Sequence, residues 1–153
     1  MVKSKLLFIT PHLSTGGAPQ YLLKKIQELN EEFQIYCVEY NNSGGTAFVV
    51  QKNQIKELLG QKLVTLNEDK TRLLDIIEVI DPDIIHFEEM PEYFCDIEIA
   101  KSIYSPERKY KIIETSHDSS FNPDDKMFFP DAFAFVSEFQ KPNLQSLDIP
   151  SFV

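Results

Sequence analysis

The chain has 153 residues, 42% of them hydrophobic and 25% charged, which is enough apolar material for one well-buried domain. Its net charge of −9 argues against a surface for nucleic acid or anionic membrane, neither of which it would attract. Cys37 and Cys95 stand far apart without C-x-x-C spacing, so neither a disulfide framework nor a zinc site is indicated. The N-terminal apolar run is too short for a signal-peptide core or a transmembrane segment, and a reduced, cytoplasmic setting is expected.

Residues 5–10 (KLLFIT) are an apolar run bounded by turn residues, the pattern of a buried parallel strand. They lead into Pro11-His12-Leu13-Ser14-Thr15-Gly16-Gly17-Ala18-Pro19. Pro19 reads as the first position of a helix over 19–30, in which Leu22, Leu23, Ile26 and Leu29 recur at helical spacing. Gly16 and Gly17 therefore fall in a strand-to-helix turn, where helical N–H groups and the absence of a Cβ favour an anion such as phosphate. A second strand is expected over 33–40, then a turn at Gly44-Gly45 leading into a short strand over 46–50.

A short helix over 54–59 ended by Gly60, a strand over 62–66 and a helix over 69–80 come next. Asp81-Pro82 stops that helix, a strand follows over 84–87, and Pro91 opens a helix through 104. Strands over 111–115 and 132–136, separated by a polar loop, complete the pattern. Strands alternating with helices at this rhythm predict an α/β domain with a doubly wound, mostly parallel sheet in three layers, α/β/α.

In such a sheet ligands bind outside the carboxyl ends of the strands, near the point where strand order reverses. Gly16, Gly17, Glu88, Glu89, His117, Asp118 and Ser137 all follow strands, whereas Asp81 and Asp83 precede one. Asp81-Pro82-Asp83 is thus a helix stop and not a D-x-D metal motif, and no metal is assigned. His86, inside an apolar strand, reads as a hydrogen-bonded core histidine. His117 ends its strand, where an imidazole can serve a hydroxyl or a developing charge near neutral pH. A nicotinamide site would need G-x-G-x-x-G and an acidic residue ending the second strand; Glu39 is near that place, but the glycine spacing fails, as does the P-loop ending. Glu31 and Glu39 have Glu-x7-Glu spacing but straddle a helix end and a strand, a chance match.

The order of 6–10, the Ser14-Thr15-Gly16-Gly17-Ala18 loop, Asp81-Pro82-Asp83-Ile84-Ile85-His86, Ile113-Glu114-Thr115-Ser116-His117-Asp118 and Ala134-Phe135-Val136-Ser137-Glu138 resembles the N-terminal domain of retaining "group 1" glycosyltransferases, which have two Rossmann-like domains. The resemblance implies transfer of a hexosyl group from a nucleoside-diphosphate sugar to the hydroxyl of a glycan, lipid or protein acceptor, without a further cofactor. It implies Gly16 and Gly17 at the donor diphosphate and sugar, His117 as the catalytic histidine by the transferred sugar, and His12, Thr15, Glu88 and Asp118 as acceptor-side candidates. The chain departs from the family pattern at Pro19, where an acidic residue is common, and at Glu88, where a second histidine is common. It ends about where the family chain crosses to its second domain. Residues 1–153 are accordingly expected to be the acceptor-side domain, inactive without a nucleotide-sugar-binding domain in the same or a partner chain. The alternative is a non-catalytic ligand- or partner-binding module of the same fold.

Overall fold

The computed structural model describes residues 1–42 and 49–153. Among them, seven strands form one all-parallel sheet: β1 (Lys5–Thr10), β2 (Gln34–Glu39), β3 (Leu63–Thr65), β4 (Ile84–Phe87), β5 (Lys111–Ser116), β6 (Ala132–Phe135) and β7 (Ser151–Phe152). Their order is β3-β2-β1-β4-β5-β6-β7, so the winding reverses between β1 and β4. Helices α1 (Gly17–Leu29), α2 (Val50–Leu59), α3 (Arg72–Ile80) and α4 (Ile97–Ile103) cover the two faces. This is a Rossmann-like, doubly wound α/β fold.

The central strand shows why its sequence is apolar throughout. Leu6 and Phe8 pack with Leu22, Leu23 and Ile26 of α1 and Ile55 of α2, while Leu7 and Ile9 pack on the other face with Leu73 and Ile77 of α3 and Ile99 and Ala100 of α4. Successive side chains of a strand point to opposite faces, so a strand covered on both sides has no polar positions to spare. A smaller cluster, Met90, Phe121, Phe133, Phe135 and Leu144, fills the β6 side of the sheet.

Several element boundaries differ from the sequence-based expectation, each for a local reason. Helix α1 begins at Gly17, two residues before Pro19. The first N–H groups of a helix have no acceptor within it, so proline is tolerated throughout the opening turn and does not mark its first position. Helix α3 starts at Arg72 and not at 69, because the Asp69 carboxylate accepts from the Thr71 N–H at 3.1 Å and holds a turn there instead. The helix expected from 91 to 104 is split into a 3₁₀ turn at Pro91–Tyr93 and α4. Asp96 causes the restart: its Oδ1 accepts from the N–H groups of Glu98 (3.0 Å) and Ile99 (3.4 Å). Asp96→Ala is expected to cost about 1 kcal/mol, read as a lower denaturant midpoint with unchanged slope.

Of the short strand expected over 46–50, residues 46–48 lie outside the described residues, and Val50 opens α2 instead. The 3₁₀ helix Lys141–Leu147 and strand β7, which lies beside β6 with Phe133 opposite Ser151, were not anticipated. Asp81 takes a left-handed conformation (φ 49°) as the cap of α3, and Asp83 Oδ2 accepts from the Lys5 N–H at 2.7 Å. The Asp-Pro-Asp motif thus ties the end of α3 to the start of β1. Among the described residues no helix is long and apolar enough to cross a membrane.

Candidate functional site

Three strand ends meet where the sheet reverses. The β1–α1 turn brings Gly16 and Gly17, the end of β4 brings Glu88 and Glu89, and the end of β5 brings Thr115 and His117. Gly16 is extended (φ 167°), a conformation open to any residue. A Cβ at Gly16 would come no closer than 3.8 Å to Pro19 Cδ, and one at Gly17 would meet no atom within 4 Å. Nothing in the fold demands these two glycines, and the space before the N-terminus of α1 is open.

Behind the turn sits a buried polar network. Lys25, on α1, donates to Glu88 Oε1 at 2.6 Å and to Thr115 Oγ1 at 3.3 Å. His86 Nε2 lies 2.7 Å from the same Thr115 oxygen and 3.6 Å from Glu88 Oε1. An ammonium has only donors, so Thr115 accepts from Lys25 and its own proton is free for His86 Nε2. Burial and the nearby Lys25 charge hold His86 well below the usual imidazole range, so its approach to Glu88 is not an ion pair. Burial pushes the Glu88 carboxyl up while Lys25 pulls it down, and burial lowers Lys25 against the opposing pull of Glu88. Glu88 Oε2 is buried without a hydrogen-bond partner.

His117 packs edge-on against Tyr21 of α1 with ring centroids 6.0 Å apart, and Lys25 Nζ lies 4.7 Å from the centroid of the same Tyr21 ring. The glycine turn and His117 are therefore joined through the second turn of α1. Burial first and Lys25 second lower the His117 pKa, and the Glu88 backbone pulls the opposite way. Its Nε2 also has no partner. Glu89 accepts from the N–H groups of Met90 (2.9 Å) and His117 (3.4 Å), and burial raises its carboxyl to about 7. At neutral pH this corner of the site thus combines a neutral imidazole with a carboxyl near its midpoint.

The acceptor-side candidates do not form one surface. Glu88 is 2% exposed and engaged by Lys25. His12 Nδ1 lies 2.6 Å from Ser14 Oγ within the β1–α1 turn, and Thr15 is exposed beside it. Asp118 turns toward its own loop, accepting from Ser120 N–H at 2.8 Å, and takes the Tyr93 hydroxyl at 2.6 Å. Glu39 is consumed inside the protein: its carboxylate accepts from Leu13 N–H (2.6 Å), Lys52 Nζ (2.5 Å) and Thr65 Oγ1 (3.0 Å), leaving no place for a ribose. Glu31 is exposed. An apolar cavity of about 360 Å³, lined among others by Tyr36, Val64, Ile76 and Val79, lies between α3 and the β2–β3 side of the sheet, away from this edge. Among the described residues no three His, Cys, Asp or Glu side chains converge as a metal site.

Tyr21, Lys25 and Thr115 were not singled out from the sequence. Lys25 reads there as solvated helix surface beside Lys24, and the available signal was its spacing four residues after Tyr21, on the face that carries Leu22 and Ile26.

Fold and site together define a parallel, doubly wound α/β domain with a glycine turn and a buried ionic network at its switch point. The chain matches no protein-family profile and no curated protein at a significant level.

Proposed function

We propose that this chain is the acceptor-side half of a retaining glycosyltransferase, which moves a hexosyl group from a nucleoside-diphosphate sugar to an acceptor hydroxyl. The observation that carries the reading is the union of two features at one edge: glycines that no protein atom requires, and His117 with an unpartnered Nε2 reached through Tyr21 on the same helix. Departure of the diphosphate develops negative charge. The free N–H groups opening α1 at Gly17, with the positive end of the helix behind them, suit that charge. A neutral His117 offers a sugar hydroxyl a hydrogen-bond partner without a competing cation. The sequence resemblance adds that Gly16 and Gly17 face the donor. The other half of the cleft, including most contacts to the nucleotide, belongs to a nucleotide-sugar-binding domain in the same or a partner chain.

Titration of the isotopically labelled chain with a nucleoside-diphosphate hexose and with simple hexosides is expected to move backbone amide resonances of residues 14–21, 88–89 and 117–118. The chain alone is expected to give no transfer, and turnover should follow when the nucleotide-sugar-binding domain is supplied. Resonance changes confined to other edges, or transfer by the isolated chain, would overturn the reading.

A further inference from the structure

We propose, resting on the assignment of His117 to the site, that Lys25 is a positioning residue of that site: by bridging Glu88 and Thr115 across the switch point it sets the protonation of His117 and the tautomer of His86. No motif identifies it, and its role follows from what it touches. One ammonium is held at 2.6 Å from Glu88 Oε1 and 3.3 Å from Thr115 Oγ1, and 4.7 Å from the centroid of the Tyr21 ring against which His117 packs. Thr115 is the penultimate residue of β5 and His117 directly follows the strand, so both stand at its carboxyl end.

The charged and titratable groups around His117 come from every neighbouring element. Tyr21 and Lys25 belong to α1, His86 to β4, Glu88 and Glu89 to the segment after β4, and Asp118 to the loop after β5. Lys25 is the cation among them, and its side chain is only 15% exposed, so its field is poorly screened. Its donors also bear on a proton. Lys25 takes one lone pair of the Thr115 hydroxyl, which keeps its own proton and a second lone pair; with that proton donated to His86 Nε2, this is the unprotonated nitrogen of a neutral ring. His86 is then the Nδ1-protonated tautomer, while burial first and the Lys25 charge second keep His117 neutral, with its unpartnered Nε2 available to a ligand.

The experiment is nitrogen NMR of the imidazole rings in the 153-residue chain, without substrate. The chain has three histidines, so His12 serves as the control for the other two. In the unaltered chain, His86 at neutral pH is expected to show the Nδ1-protonated tautomer. In Lys25→Met the His117 midpoint should shift upward and His86 should lose its single tautomer, while Lys25→Arg should restore both and His12 should stay where it was. Lys25→Met leaves Glu88 buried and alone and could fail to fold. The double variant Lys25→Met/Glu88→Gln removes both charges, and there too the His117 midpoint should rise. A His117 midpoint unmoved in whichever of these variants folds, or a His86 that is Nε2-protonated in the unaltered chain, overturns the proposal. Because no sugar is present, a shifted midpoint with no glycosyl transfer by the completed enzyme would overturn the transferase reading alone.

Discussion

Lys126→Met is expected to destabilise the protein by about 3–5 kcal/mol at neutral pH, lowering the melting temperature by about 6–20 °C. The Lys126 side chain is 0% exposed and is held between two carboxylates, Glu92 Oε1 at 2.7 Å and Glu114 Oε2 at 2.9 Å. Both partners are themselves tied down. Glu92 Oε1 also accepts from Met127 and Phe128 N–H, each at 3.0 Å, and Glu114 accepts from the Tyr104 hydroxyl. Removing the ammonium leaves two buried acids with no cation, and the loop after His117 loses its anchor to β5 and to the segment after β4.

The acids also determine the pH dependence. Burial raises Glu114 from 4.5 to about 7, against the opposing pull of Lys126. Its folded value lies above its unfolded one, so between about 4.5 and 7 the folded chain keeps a proton that the unfolded chain gives up, and stability falls as pH rises through that window. Glu89, raised to about 7, acts in the same direction. The Lys126→Met deficit should therefore be smaller near pH 5, where the Glu114 carboxyl can be neutral, and larger near pH 8. Adding Glu114→Gln to Lys126→Met should recover part of the loss. Calorimetry at the two pH values checks this; an equal deficit at both would mean that lost packing, and not unpaired charge, governs the effect.

The winding of the sheet was legible because its cause is local. A strand such as 5–10, apolar at every position, needs cover on both faces, and Leu6 and Phe8 indeed face α1 and α2 while Leu7 and Ile9 face α3 and α4. The placement of Asp81-Pro82-Asp83 on the amino edge followed from the same rule. Boundaries were less legible where a single carboxylate sets the start of a helix: Asp69 holds a turn before α3 and Asp96 restarts the chain as α4. Strand β7 is two exposed residues whose pairing depends on β6 being beside them, which no period in the sequence records. The site divides in the same way. Residues at strand ends, such as Gly16, Glu88 and His117, are found by topology alone. Lys25 and Thr115 matter because α1 lies over the ends of β4 and β5, a tertiary fact. Their charges and hydroxyls look like ordinary surface and strand polarity until the chain is folded. Glu88, which the resemblance makes an acceptor-side candidate, is buried and paired with Lys25.

Under the proposed transferase function, His117→Ala in the completed enzyme is expected to lower kcat tenfold to a thousandfold, about 1.4–4 kcal/mol of transition-state stabilisation, with little change in melting temperature. The ring touches Tyr21 at its edge and leaves Nε2 without a partner, so the fold spends little on it. His86 is the internal control. It is 6% exposed, lies 5.3 Å from the Phe8 ring and bonds Thr115, so His86→Ala opens a gap in the sheet and strands a hydroxyl. That change should cost about 2–4 kcal/mol of stability. The two substitutions remove the same side chain, one from within β4 and one from just after β5, and their effects should separate: kcat per folded molecule falls for His117→Ala, whereas for His86→Ala the main loss is in folded protein. The network adds one condition. Thr115 lies between His86 and Lys25, so His86→Ala also frees the threonine proton, and a modest fall in kcat that Thr115→Val does not deepen would reflect that shared bond. A well-folded His117→Ala enzyme with unchanged kcat would remove His117 from the chemistry and leave it a strand-end residue packed on Tyr21.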